Sequence, residues 1–321
     1  MPLCSFRKRG TMFKYILKRV FWALITLLVI LFVLFLLLEF MPGSPFNDER
    51  LSPEQINLLK TEYGMNEPFF IKFGIFLKNA LKGDFGISYS VFKNQKVAAL
   101  VLPRLGVSVR VGFQALVLGV LGGGILGLVS GNNQNTWKDT LSTVLAVIGV
   151  SIPSFVLALG LSYVVGYKWQ LADITYNSGR PFMSTLLPTI SLSMFVLAQV
   201  TRFLRTEFIE VMDTDYVKLA RAKGLPKRKI ISAHGIRNAL ISVVTIMGPL
   251  TVNLMTGSLV IERVFGIPGI GSLLVEAIQT NDYNVIIMVA FIYSVLYIVV
   301  NLAVDILYGV IDPRIRVAKG A

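Results

Sequence analysis

Six long apolar runs dominate this chain of 321 residues, at 20–38, 111–129, 141–167, 185–200, 240–261 and 285–304. A run of about 18 or more mostly apolar residues has the length of one helix across the ~30 Å hydrocarbon layer of a bilayer. The fourth run is the weakest, because it holds Pro188 and several hydroxyls and must draw on residues 198–204 for length. Composition agrees: 54% of residues are hydrophobic and only 15% charged, and the mean hydropathy of +0.69 leaves too little charge to cover a soluble globule. A β-barrel would show alternating segments of about ten residues, whereas these runs are continuous. The chain reads as an all-α membrane protein with six transmembrane helices.

Basic flanks orient the spans. Arg7, Lys8, Arg9, Lys14, Lys18 and Arg19 precede the first run, as in a secretory signal. Its apolar core is too long for one, however, and "EFMPGSPF" after it holds no small-x-small cleavage site, so it reads as an uncleaved helix. Met12 offers a shorter start. With the N-terminus inside, segments 1–19, 129–140, 201–239 and 310–321 carry 6, 1, 9 and 3 lysines and arginines, 19 of the 31 in the chain. Most of the others lie in residues 39–105, an outer segment long enough to fall outside the positive-inside rule. Both termini are expected in the cytoplasm. The same distribution accounts for the net charge of +13 without nucleic acid, since the cations flank spans instead of gathering on one soluble face.

Cys4 is the sole cysteine and His234 the sole histidine. An intrachain disulfide and a Cys/His metal cluster are therefore excluded, and no metal site is expected. Cys4 precedes the apolar run, so it cannot follow a signal sequence as a lipobox cysteine, and it reads as an incidental thiol. No G-x-x-x-x-G-K-[ST] phosphate loop occurs, so the chain is not an ATPase.

Within the spans, Gly119, Gly123, Gly127 and Gly131 recur every fourth residue, on one helix face. Such a stripe lets two helix backbones approach closely, either in an ordinary packing seam or in a crossing of a translocation bundle. Pro153 in "SIPSF" and Pro249 in "MGPL" free backbone carbonyls within spans three and five, as hinges or as static bends. Glu39 and Arg110 sit near the outer interface, where snorkelling accounts for them. Asp305 lies near the inner end of span six, within reach of a basic partner. Nothing forms a chain of proton-relay groups.

The outer segment opens with "LSPEQINLLKTEYG", in which Ser52, Pro53 and Gln55 form a capping-box helix start and Gly64 closes the helix. "LKGDFGISYS" then reads as a looped element. The segment is too short for an enzyme domain and lacks a recognisable nucleophile–base pair, so a docking or vestibule-forming cap suits it.

On the inner side, "DYVKLARAKGLPKRK" at 215–229 reads as two short helices with a joint. Residues 213–215 supply N-cap candidates, Gly224 suits the left-handed position after the first helix, and Pro226 suits the first turn of the second. At 100° per residue, Tyr216, Val217, Leu219 and Ala220 share one face, with Lys218 and Arg221 on the other. By composition alone, a basic amphipathic helix of this kind lies on anionic lipid.

The pattern around it points elsewhere. "KLARAKG" followed by "HGIRNALISVVT" resembles the "EAA…G" loop of ABC importer permeases, with Lys218-Leu219-Ala220 where the general pattern has Glu-Ala-Ala. "MFKYILKRVFWALITLLVILFVLFLLLEFMPGSPF", "GDFGISY", "VSIPSF", "GSLVIERVFGIPGIGSLL" and "YGVIDPRIR" extend the resemblance from Met12 to about Arg316. Together they are similar to the first (B-type) of the two permease subunits of bacterial oligopeptide and dipeptide importers.

The resemblance implies a first part, 1–110, of tail, first helix and extracytoplasmic segment. A permease core of five helices would follow at 111–321, with a coupling helix at about 213–224. It implies that Asp215, Tyr216, Lys218, Leu219, Ala220, Arg221, Ala222 and Gly224 couple the chain to an ATPase. Gly266, Pro268, Gly269 and Gly271 would form a re-entrant outer gate. The implied partners are a second permease subunit in a heterodimer, two cytoplasmic ATPase subunits and an external, periplasmic peptide-binding protein, with membrane lipid around them. No cofactor would be bound by this chain, and ATP and Mg would act at the ATPase subunits. The implied function is import of oligopeptides across the bacterial cytoplasmic membrane by a multi-pass, non-catalytic subunit. A related permease for nickel or another small solute, an ion-coupled secondary carrier and an integral-membrane enzyme are the alternatives.

Overall fold

The apolar runs become helices because a backbone in hydrocarbon must satisfy its own N–H and C=O groups. The computed structural model describes residues 3–42, 52–62 and 66–311. In chain order the helices are α1 (Leu3–Glu39), α2 (Pro53–Glu62), α3 (Phe69–Ala80), α4 (Val97–Asn132), α5 (Trp137–Ser151), α6 (Ser154–Leu161) and α7 (Pro181–Ser184). They continue as α8 (Leu186–Met212), α9 (Asp215–Ala222), α10 (Lys227–Ile230), α11 (Arg237–Met255), α12 (Leu259–Val264), α13 (Ile270–Gln279) and α14 (Tyr283–Ile311). Residues Ser162–Lys168 and Ile231–Ile236 are π-helical.

Among the described residues, four helices are long and apolar enough to cross a membrane unbroken: the Leu17–Glu39 part of α1, then α4, α8 and the Tyr283–Val304 part of α14. Two bent pairs raise the number to as many as six. Trp137–Ser151 meets Ser154–Lys168 at 100°, and Lys227–Ile241 meets Ile246–Val264 at 60°. The runs 141–167 and 240–261, with Pro153 and Pro249 expected to act as hinges or bends, are therefore bent elements. Pro153 interrupts the first. In the second the bend falls between Ile241 and Ile246 and not at Pro249, through which α11 passes; α11 then stops before Gly257, whose φ is +81°. The fourth run does gain the length it lacked, since α8 extends over 27 residues.

The chain divides into two compact units. One comprises Met1–Gly106 with Gly269–Val299. Its core joins Val97 and Val101 of α4 with Ile270, Leu273 and Ala277 of α13 and Val285 and Val289 of α14. Aromatic edges tie α1 to α3, Phe32 meeting Phe69 at 5.4 Å and Phe73 at 5.5 Å between ring centres. Glu39 does more than sit at an interface: Lys72 Nζ of α3 lies 2.5 Å from its Oε2. The capping box at the start of α2 is reciprocal, Ser52 N donating to Gln55 Oε1 at 2.9 Å and Gln55 N to Ser52 Oγ at 3.3 Å.

The other unit comprises Val107–Pro268 with Val300–Ala321. It is organised around α8, which packs against α5, α6 and α11. Val196, Val200, Leu204 and Phe208 of α8 join Ala115 of α4 and Ala239 and Val243 of α11 in a buried cluster. Arg110 is exposed on α4. Gly64, residues 312–316 and the side chains of Cys4, Met12 and Asp305 lie outside the described residues.

Candidate functional site

The polar joint after α8 is built from the backbone outward. Thr214, in extended conformation, is the N-cap of α9, and its hydroxyl turns back to donate to Val211 O at 2.6 Å. The helix ends in a Schellman turn: Gly224 N donates to Arg221 O at 3.0 Å and Leu225 N to Ala220 O at 3.3 Å. That turn requires a left-handed residue, and Gly224 has φ +74°. Leu225 completes it by packing on Val217, Ala220 and Ile230. Pro226 is the N-cap of α10, one residue before the position expected for it.

This packing corrects the single apolar face read from periodicity. Val217 and Ala220 are buried inside the chain, while Tyr216 and Leu219 are 43% and 56% exposed. Ala220 is therefore used to seat α9 on its own joint and is not presented outward. Lys218, Arg221, Ala222 and Gly224 are exposed together with Asp215. Lys218 Nζ pairs with Asp215 Oδ1 at 3.3 Å, with side chains 63% and 100% exposed. An exposed pair of this kind adds little stability.

Two contacts connect α9 to α11 and to the π-helical turn before it. Asn238 Nδ2 donates to the Tyr216 hydroxyl at 3.1 Å and to His234 O at 2.8 Å, and the Tyr216 and His234 rings lie 6.5 Å apart. The intervening π-helical turn is pressed onto α8. A β-carbon on Gly235 would meet Phe208 Cε2 at 2.8 Å and Met212 Sδ at 3.2 Å.

The four-residue glycine stripe of α4 faces α8. A β-carbon on Gly119 would stand 2.6 Å from Val196 Cβ, on Gly123 2.5 Å from Leu197 O, on Gly127 3.0 Å from Thr201 O, and on Gly131 2.9 Å from Phe208 Cδ1. Thr201 Oγ1 donates to Gly123 O at 3.3 Å, a hydrogen bond between helices that only such an approach permits. Farther along α4, Gly112 abuts the Leu254 carbonyl of α11.

At the polar end of this seam, Arg205 grips Asp139 with two parallel bonds, Nε to Oδ1 at 2.7 Å and Nη2 to Oδ2 at 2.8 Å. Ser130 Oγ and Asn135 N add donors at 2.5 and 3.0 Å. The carboxylate thus links the end of α4, the start of α5 and α8.

Gly266, Pro268, Gly269 and Gly271 occupy a turn and a helix start. Gly266, with φ +60°, ends α12 by the same device as Gly224: Ile267 N donates to Glu262 O at 2.7 Å. Phe265 O accepts from Tyr176 N at 2.8 Å, and the Glu262 side chain, 4% exposed, accepts from Ser108 Oγ at 2.8 Å. Gly269 is the N-cap of α13, and Gly271 is buried in that helix.

Sequence reasoning missed three buried carboxylates: Asp139, Glu262 and Asp282. Asp282 Oδ2 accepts from Ser88 Oγ, Ser90 N and Val91 N at 2.5, 3.0 and 3.1 Å, folding the "GDFGISYS" loop. Asn284 Nδ2 adds a bond to Ile87 O at 2.8 Å. Local pattern carries no signal for partners up to 197 residues away. An acidic residue at the edge of an apolar run was nevertheless a legible flag.

These groups hold helices together and are not arranged around a reacting atom. Asp139, Glu262 and Asp282 each accept from a neighbouring element, α4 is seamed to α8 by glycines, and a short amphipathic helix presents apolar side chains from a polar loop. The class is a helical membrane protein, and the comparisons define it further. The chain belongs to the family of binding-protein-dependent transport system inner membrane components, whose model matches residues 123–317. The N-terminal model of the same systems matches residues 12–111.

Membership makes it a multi-pass transport subunit of the bacterial cell membrane, not an enzyme. ATPase and other subunits are its partners in general terms. The dipeptide transport system permease protein of Lactococcus lactis subsp. cremoris is 39% identical over 95% of this chain and 100% of its own. The oligopeptide transport system permease protein of Haemophilus influenzae is 37% identical over 95% and 100%. The dipeptide permease protein of Bacillus subtilis is 38% identical over 96% and 99%. Among solved structures, an amino acid ABC transporter crystallised with histidines shares the fold, with a TM-score of 0.52 at 16% identity. That match covers 66% of this chain and 94% of the other.

Proposed function

We propose that the chain is one of two permease subunits of an ATP-driven importer of oligopeptides. Full-length similarity to dipeptide and oligopeptide permeases is the observation that carries this reading. Six spans with both termini inside fit the charge distribution, with 39–105 outside. The division into an N-terminal part, 1–110, and a permease core, 111–321, belongs to the same reading. ATP and Mg act at two cytoplasmic ATPase subunits, and an external peptide-binding protein delivers the cargo.

Helix α9 is the coupling helix in this proposal. Tyr216, Leu219, Lys218, Arg221 and Ala222 form the face that seats in an ATPase cleft, with Asp215 at its start. Ala220 and Gly224 set its angle from within. The Tyr216–Asn238 bond and the π-helical turn on Phe208 give movement of α9 a route into α11 and α8. The turn from Gly266 through Pro268, Gly269 and Gly271 closes the outer gate.

The test is reconstitution of the chain with its natural partners in liposomes. Peptide uptake should require ATP and survive collapse of the proton gradient. Uptake that follows the gradient with the ATPase disabled would favour a secondary carrier. Cysteines introduced at Asn57 and Ser232, in a Cys4→Ser background, should label from outside and inside respectively; the reverse would overturn the topology.

A further inference from the structure

Helix α5 stops partway along its span, because Pro153 forces Ile152 into an extended conformation. Its polar end is marked by the Asp139–Arg205 pair, and Ser151 is 12 residues farther on, about 18 Å at 1.5 Å per residue. That is over half the ~30 Å hydrocarbon thickness. There the chain bends by 100° into α6.

The break takes the helical partners from the last carbonyls of α5. Ile152 N makes the last α5 bond, to Ile148 O at 3.0 Å. Pro153 has no N–H for Gly149 O, and no helical turn closes across residues 152 and 153 to bond the last carbonyls of α5 to α6. An unsatisfied carbonyl at this depth costs several kcal/mol unless protein, water or a ligand supplies a donor. The C-terminal end of α5 also carries the negative end of its dipole.

A groove of about 140 Å³ opens beside these carbonyls. Val150, Ile152, Leu157 and Met194 wall it, with Ser154 and the buried Ser191 among its lining. No acidic or basic side chain lines it. A pocket for a whole drug-sized ligand has roughly 300–1,000 Å³, so this one accommodates a single terminus.

We propose that the break at Ile152–Pro153 is a subsite for the α-ammonium end of a peptide in transit. An ammonium brings three donors to a cluster of carbonyl acceptors. Partial charges hold it without the full counter-ion that would trap it, as passage through a multi-site path requires. The assignment rests on the peptide-importer reading above, and deepens it.

The test uses the complete transporter in liposomes, in a Cys4→Ser background with Ser154→Cys. The rate of modification by a small methanethiosulfonate is measured with trialanine or N-acetyl-trialanine, alongside ATP-driven trialanine uptake by the parent transporter. At a concentration ten times that giving half-protection, trialanine should slow modification about tenfold, and the acetylated peptide should not. Equal protection by both peptides, or by neither while the parent imports trialanine, would overturn the subsite and leave the importer reading standing. A Ser154→Cys thiol that stays unreactive, or cross-links to the second permease subunit, would assign the groove to that subunit instead. Absence of ATP-driven uptake of any peptide by the parent would overturn the importer reading itself. As an independent arm, Pro153→Ala restores a donor for Gly149 O; uptake should fall several-fold in assembled transporter, and unchanged uptake would count against the subsite.

Discussion

The Asp282 carboxylate accepts a hydrogen bond from Ser88 Oγ at 2.5 Å, across 194 residues of chain. Both residues are 0% exposed, and the same oxygen gathers two backbone N–H groups of the loop. Loss of the carboxylate leaves three donors unpaired, each costing about 1–3 kcal/mol. Asp282→Ala should therefore release the loop, making the bond after Lys93 sensitive to trypsin added outside. Asp282→Asn, which keeps one acceptor, should release it less. Equal resistance in Asp282→Ala and the parent would show that the loop holds itself.

The Arg205–Asp139 fork predicts non-additivity. Arg205→Ala strands a carboxylate that is 5% exposed, and the loss should be about 2 kcal/mol. Asp139→Ala removes the same bonds, so the double variant should melt well above the temperature expected from the sum. Thermal unfolding of the detergent-purified complex measures this, and strict additivity would mean that the fork contributes nothing.

The glycine seam contains its own control. Gly123→Val drives a side chain into the Leu197 backbone and should cost about 1–3 kcal/mol. A β-carbon on Gly124 would meet nothing within 4 Å, so Gly124→Ala should be neutral or stabilising by up to about 1 kcal/mol. Melting temperatures of the two variants should diverge; similar ones would deny the close approach of α4 to α8.

The buried and exposed faces of α9 separate seating from docking. Leu219→Glu should preserve the joint and lose the co-purifying ATPase. Ala220→Glu must bury a charge against Ile230 and should disturb the joint itself, read as faster hydrogen exchange in 214–230. Lys218→Ala should do much less than either. If Ala220→Glu left exchange unchanged while Leu219→Glu kept the ATPase, the assignment of faces would be wrong.

Gly224 tests the backbone alone. Open space surrounds it, so Gly224→Val costs only the left-handed strain, about 1–2 kcal/mol. Gly224→Asn, which tolerates that conformation, should cost less. Peptide uptake should follow the order Gly, Asn, Val; equal uptake by all three would show that the angle after α9 is immaterial.

Local features of this protein were legible before folding because their causes are local. Apolar run length sets helix existence, the spacing of Gly119, Gly123, Gly127 and Gly131 sets a face, and Ser52 and Gln55 or Gly224 set helix ends through bonds that span three to five residues. What tertiary structure decided is partnership. Val217 and Tyr216 are both compatible with an apolar face, and only the presence of Ile230 and Leu225 buries one and leaves the other exposed. Pro153 and Pro249 both marked candidate bends, and only the packing decided that the chain turns by 100° at the first while α11 runs through the second. Local pattern could not choose Ser88 for Asp282 or Arg205 for Asp139, because a hydrogen bond depends on where two distant backbones bring their side chains.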